Sequence, residues 1–496
     1  MTVSSKAICS KVIRWTGFLA IAGALLWSCN SPQSENTNTQ NAESDAPTAV
    51  EILGQAYLYG YPLLTMDYTH KVSTNVVEPN ALGKAPYNQF GGMKQFPKAG
   101  FKAVVRPNLD TYYSLIYADL SDGPLYVYIP ATERYYLIPI LNAYGDVVKS
   151  LGSRTTGQGD LHMALVGPDY DGEIPEDLMV VKSNTNLNWL LGRVQVSNDE
   201  DGKNEVANFQ NKLIARPLAE RDNADYVGPK GTVNPEYKVV PMQAVDNLSI
   251  TDYFNQMMAL MVTNPPQEGD EKMVAAMKSV GIVPGGTFDI SQFTEEEQAQ
   301  IQKIPAFIQK KFAEMTAKPR EELMQNGWNV NTSGLGEYGT NYALRAYVTK
   351  IGYGANTAED AIYPNSAIDS DGNNYNGDNN YVLHFDADKM PPAKGFWSLT
   401  MYDKEGFLVD NAIDRYNLGN KHNLTYNEDG SVDIYIQYEE PKMSSNWLPS
   451  PPPGQEFELT FRMYWPEEEV LNRTWQMPGV VNMTAVKTQP VDMPVE

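Results

Sequence analysis

Arg106-Pro107-Asn108-Leu109-Asp110, followed by Tyr113, sets a guanidinium, an amide and a carboxylate at every second position. Alternate side chains of an extended segment share a face, so Arg106, Asn108 and Asp110 are expected to converge on one polar pocket. Such a trio can bind a polar ligand, with Tyr113 beside it, and Asp110 can act as a general base if its surroundings raise its pKa. The same residues also read as a buried Arg–Asp pair with an Asn-stabilised turn after Pro107, and both readings stay open. Arg154-Thr155-Thr156-Gly157 follows a strand pattern and offers an anion-binding loop. In the second half Tyr402, Asn411, Arg415 and Trp447 form a parallel candidate set, in which Trp447, just before Leu448-Pro449, reads as a packing anchor rather than a sugar platform.

Other chemistries lack their signatures. His70, His162, His384 and His422 are far apart, without the close histidine or cysteine pairs of a zinc site, so no metal is expected. A G-x-S-x-G elbow is missing, and Gly281-Ile-Val-Pro-Gly285-Gly286 lacks the lysine of a phosphate loop. The run Asp369 to Asp378 alternates oxygen donors, but its glycine comes too early for an EF-hand and no glutamate closes the set, so it reads as a solvated turn. No cofactor is indicated.

The elements that must position these residues are mostly strands. One helix is expected from Val50 to about Met66, stopped near Pro62. Strand patterns follow at Tyr113–Ala118, Leu125–Ile129, Tyr135–Leu141, His162–Val166, Leu178–Val181 and Trp189–Val196, punctuated by Gly and Pro, which predicts an antiparallel sandwich or barrel. Helical spacing takes over at Ile250–Val262 and Glu271–Val280, then from a capping box at Thr294-Glu-Glu-Glu297 towards Thr316, and again from Tyr342 to Ile351. Strands return at Tyr381–Phe385, Trp397–Tyr402, Asp433–Tyr438 and Phe457–Tyr464. The expected fold is mainly β with a helical insert.

The N-terminus suggests an address. Lys6, Lys11 and Arg14 precede the apolar run Phe18–Trp27 and a Ser28-Cys29 junction, the pattern of a bacterial lipoprotein signal. At about ten residues the run is half of what a spanning helix needs. Cys9 leaves with the signal, so Cys29 would be the only cysteine left and serves as the lipid attachment point. The polar stretch from Asn30 to Ala46 reads as a flexible tether. Asn30 after the cysteine resembles lipoproteins kept at the outer membrane of a two-membrane cell envelope. Removing three basic residues with the signal takes the formal charge from −23 to −26, which argues against a nucleic-acid partner.

Longer stretches carry a family likeness. Arg106-Pro-Asn-Leu-Asp110, Arg134-Tyr-Tyr136, Arg154-Thr-Thr-Gly157 and Asn188-Trp-Leu-Leu-Gly-Arg193 resemble the domain-of-unknown-function 1254 type. Tyr342-Ala-Leu-Arg345, Glu359-Asp-Ala-Ile-Tyr-Pro364, Phe396-Trp397 to Tyr402, Asn411, Arg415-Tyr416 and Asn446-Trp-Leu-Pro449 resemble its usual companion, the 1214 type. The resemblance implies two jelly-roll-like β-sandwich domains with helices between them, and no settled reaction. The resulting division is 1–28 signal, 29–49 tether, 50–225 N-terminal β domain, 226–340 helical linker, 341–475 C-terminal β domain and 476–496 tail. Two functions fit. One is an exported hydrolase or lyase, independent of transition metals, acting on a carbohydrate-like or small polar substrate, in which Arg106, Asp110 and Arg154 meet in a concave pocket. The other is a non-catalytic surface binding or assembly lipoprotein, working as a homo-oligomer, whose buried Arg and Asp residues are paired.

Overall fold

The computed structural model describes residues 46–102, 105–317 and 320–484. The signal segment, Cys29 and most of the tether lie outside them. The folded body opens at Thr48, whose side chain caps the helix Ala49–Ser73 in a reciprocal box with Glu51. That helix runs straight through Pro62, against the expectation of a stop there. A proline removes one helical hydrogen bond, but burial on all sides outweighs the loss. Tyr59, Tyr61, Leu63, Leu64 and Met66 are fully buried, and Tyr253 stacks on Tyr57 at 4.1 Å while donating to its carbonyl.

The helix is buried because the rest of the molecule wraps it. Helices Ile250–Thr263, Glu271–Ser279, Glu295–Ile301, Ile304–Ala317 and Tyr342–Gly352 pack around it. The stretch expected to be one helix from Thr294 to Thr316 is therefore two, broken at residues 302–303 so that Ile301, Ile304 and Ile308 all reach the same core. Rather than spacing two β regions apart, these helices form a layer on the first sheet, whose outer residues Tyr117, Leu141 and Trp189 join their core.

That sheet is ordered Gly91–Gly92, Thr111–Asp119, Leu187–Gln195, Tyr136–Asn142, Val147–Gly152, antiparallel throughout. Its inner face meets a second sheet, Met179–Lys182, Leu161–Val166, Leu125–Ile129, Ile214–Pro217, across Ile116, Ile138 and Leu190 on one side and Val127, Met163 and Leu165 on the other. Cover on both faces explains why Leu187–Gln195 is buried along almost its whole length instead of alternating.

The second sandwich pairs a sheet centred on Phe457–Pro466 and Ala393–Asp403 with a sheet of Trp447–Pro449, Val432–Gln437, Tyr381–Phe385 and Val480–Asn482. Trp328, Leu383, Trp397, Ile434 and Phe461 fill it. The segment from 476, expected to be a tail, enters this body: Met477 and Val480 are fully buried, and Val480–Asn482 pairs with Tyr381–Leu383. Strand Trp328–Asn329, inside the stretch expected as a helical linker, likewise belongs to the second sandwich. Both bodies are β-sandwiches, and they meet where Tyr135, Leu137, Phe396 and Tyr464 pack together beside Leu109, Tyr402 and Tyr416.

Candidate functional site at the junction of the sandwiches

The segment carrying the first candidates is a turn rather than an extended strand. Arg106 adopts φ +47°, and the Asn108 side-chain oxygen accepts the backbone N–H of Asp110 at 2.6 Å and of Thr111 at 3.2 Å. Alternation is lost, so Arg106 and Asp110 diverge. Arg106 reaches out to pair with Glu458, whereas Asp110 turns inward and is fully buried.

Asp110 meets the second sandwich there. Lys421 Nζ lies 2.7 Å from Oδ1, Asn417 donates to the same oxygen at 2.8 Å, and Ser398 Oγ donates to Oδ2 at 2.6 Å. Lys421 also donates to the carbonyls of Leu109 and Val196 at 3.2 Å each, which uses all three of its donors. Burial alone would raise the Asp110 carboxyl; the Lys421 ammonium and the Arg462 guanidinium outweigh it and hold the pKa below the usual aspartate value. His422, next along, is pushed down to about 4 by burial and by Lys421, so it stays neutral. Asp110 is thus an ionised, saturated anchor between two domains, the opposite of the raised-pKa base that its spacing suggested as one reading.

Around this anchor the cations are less well matched. Arg462 donates to Thr400 Oγ1 at 2.6 Å and to Tyr402 Oη at 2.7 Å, and Tyr402 passes the chain on to the Pro107 carbonyl. Arg193, on the first sandwich, is 8% exposed and makes two long hydrogen bonds of 3.4 Å, to the carbonyls of Leu191 and Gly354, and a side-chain contact with Tyr113, with Nε unpartnered. Its guanidinium sits 5.4 Å from the Tyr113 ring centre. Neither arginine forms an ion pair with a carboxylate among the described residues. Burial opposes charge on both; phenol groups of Tyr363 and Tyr113 surround Arg193, and those of Tyr402 and Tyr464, with the Asp110 carboxylate, surround Arg462. Asn108 links this group by donating to Tyr464 Oη at 3.0 Å and Tyr113 Oη at 3.4 Å. Asn108, Tyr113 and Tyr363 are partly exposed, so the cluster reaches solvent. Trp465, next to Tyr464, holds φ +54°, a real outlier for so bulky a residue. With Arg106 it makes two left-handed non-glycine residues flanking one cluster, the kind of strain that gathers at functional sites.

The remaining candidates serve the fold locally. Arg154 Nε donates to Asp360 Oδ1 at 2.6 Å, a second tie between the sandwiches, and Thr155 Oγ1 donates to the Ser150 carbonyl at 2.7 Å. Arg106, Asp110 and Arg154 therefore have three different partners and do not meet in one pocket. Tyr402 alone of the second set joins the junction. Asn411 closes its own turn, bonding Val409 and Arg415, while Arg415 Nη1 donates to the carbonyls of Ser444 and Trp447, and Trp447 Nε1 donates to Gln437. In the Asp369 loop the N–H groups of Asp371 and Asn373 donate to Asp369 Oδ1, the hydrogen bonds of a turn.

Lys421, Ser398, Asn417, Arg462 and Arg193 were not among the candidates. A signal existed for the two arginines: each interrupts an otherwise apolar strand run, Trp-Leu-Leu-Gly-Arg193-Val and Leu-Thr-Phe-Arg462-Met-Tyr, where a charge must be buried and answered. Lys421 had none, since Asn-Lys-His-Asn reads as a loop.

Comparison with known proteins follows this division. Residues 87–217 match the model "Protein of unknown function (DUF1254)" and residues 360–468 match "Protein of unknown function (DUF1214)". The crystal structure of the VPA0106 protein from Vibrio parahaemolyticus shares the fold, at 24% identity and a TM-score of 0.66, over 88% of this chain and 100% of that one. An uncharacterised protein from Burkholderia cenocepacia aligns over 88% of this chain and 95% of its own at 13% identity, with a TM-score of only 0.39. No functionally curated protein matches. Both models are found in order on one chain, so residues 87–217 and 360–468 pair a DUF1254 domain with a DUF1214 domain.

Proposed function

We propose that this is a lipid-anchored binding protein of the bacterial envelope that takes a small organic anion at the junction of its two sandwiches. One observation carries the reading: Arg193 is a buried cation with long carbonyl contacts, a free Nε and no carboxylate, set against the partly exposed Tyr113 and Tyr363. A buried charge lacking good partners is costly, and a ligand carboxylate would answer it with two parallel hydrogen bonds. Binding is favoured over hydrolysis or lysis because Asp110, the candidate base, has its oxygens committed to Lys421, Asn417 and Ser398.

A melting screen with acetate, succinate, citrate and glucuronate against their amides tests the ligand. A specific anion at about a hundredfold excess over its Kd stabilises by nearly 3 kcal/mol, and Arg193→Met should abolish that shift. A flat screen, or an unchanged shift in Arg193→Met, sinks the proposal. Anchorage rests on Cys29: the Cys29→Ser protein should leave the membrane fraction for the soluble one, and its retention there would count against a lipid tether.

A further inference from the structure

A second site lies in the mouth of the first sandwich. The edge strand Gly91–Gly92 of one sheet and the edge strand Ile214–Pro217 of the other border a cavity of about 480 Å³, within the usual size of small-ligand sites. Among the described residues no carboxylate lines it, in a chain with 61 acidic residues. Its two cations have only neutral partners: Lys94 donates to Asn211 Oδ1 at 2.8 Å, and Arg216 Nη1 donates to the carbonyls of Asn223 and Glu220 while its Nε is buried without a partner.

Beside that guanidinium, what remains free is neutral. Gln210 spends its amide N–H groups on the carbonyls of Met93 and Tyr113 and on Ser114 Oγ, and its side-chain oxygen is buried with no partner. The Nδ2 group of Asn211 makes no hydrogen bond among the described residues, and Asn80, whose oxygen accepts from Leu82 and Lys84, leaves its Nδ2 equally free there. Phe90 and Tyr226 add aromatic surface to the same wall. Unused amide donors, one unused guanidinium N–H, an unused acceptor and two aromatic rings suit a ligand whose groups both donate and accept.

We infer that this cavity binds a small neutral saccharide, its hydroxyls bridging the Asn80, Asn211 and Gln210 amides and a ring face against Phe90 or Tyr226. Gly92 is the wall that keeps it open. A Cβ there would stand 3.5 Å from the Gln210 amide, an ordinary contact, with side-chain rather than backbone atoms as its nearest neighbours.

Saturation-transfer NMR and calorimetry on the intact protein with maltose, galactose and N-acetylglucosamine test it. At least one should bind, and Asn211→Ala should weaken it about tenfold, the effect of roughly one hydrogen bond. Gly92→Val should weaken it more, while leaving the melting temperature and any citrate shift in place. If Gly92→Val does not fold, Asn211→Ala decides alone. Failure of all three sugars to bind, binding that Asn211→Ala leaves unchanged, or displacement of the sugar by citrate would overturn the inference.

Discussion

Two buried cations of the junction, Lys421 and Arg193, sit in the same interface and live in opposite circumstances. Lys421 spends three donors on three acceptors, and its counter-charge Asp110 is fully bonded in turn. Arg193 has five donors and, besides the Tyr113 side chain, two long contacts, with Nε left free. Saturation marks a residue that holds the domains together, and a deficit marks one that waits for something. The usual shortcut, that a buried charge is a functional charge, would treat the two alike. Counting partners separates them.

The largest expected effect breaks the saturated side. Lys421→Met leaves Asp110 buried without its cation, a loss of about 3–5 kcal/mol. Arg193→Met should cost far less, since it removes a poorly satisfied charge and keeps the packing. Urea unfolding measures both, and equal losses would erase the distinction. Asp110→Asn combined with Lys421→Met should recover part of the loss, because the double variant buries no lone charge.

An acid titration follows in size. The folded-state pKa of Asp110 lies below its ordinary 3.8. Its contribution to stability is therefore complete above the ordinary value and drains as pH falls through the folded-state one. Stability of the native chain should fall steeply below about pH 4, and this part of the slope should be missing from the Asp110→Asn, Lys421→Met double variant. An identical acid limb in both would mean that other carboxylates dominate it.

The difference between the two cations also explains what could be read in advance. Strands Leu125–Ile129 and Tyr381–Phe385 were legible to the residue, because their apolar content is local and bounded by turn residues. The capping boxes at Thr48 and Thr294 depend on residues three apart, and the latter was visible for that reason. Gly91–Gly92 and Ile214–Pro217 were invisible, since their pairing rather than their composition makes them strands. Asp110 could be singled out, but whether it was base or anchor depended on Lys421, some three hundred positions away in a loop of neutral composition. Helix Ala49–Ser73 misled in another way: a proline argues for a stop only where neighbours do not hold both sides of it.

The smallest effect sharpens the comparison at its rim. Arg106 holds φ +47° just before the turn that delivers Asp110, and its N–H donates to the Gly406 carbonyl at 2.7 Å, so the conformation is imposed from the second sandwich. Glycine enters that region freely, and relief of such strain is worth about 1 kcal/mol. The half-exposed pair with Glu458 that Arg106→Gly gives up contributes roughly 0–1 kcal/mol, and glycine adds disorder to the unfolded chain. These terms nearly cancel, so Arg106→Gly should leave urea stability within about 1 kcal/mol of the native protein, whereas Arg106→Ala, which loses the pair and keeps the strain, should be the weaker of the two. If Arg106→Gly instead falls as far as Lys421→Met, the guanidinium itself would be part of the anchor, and the division between saturated and waiting cations would need a third member.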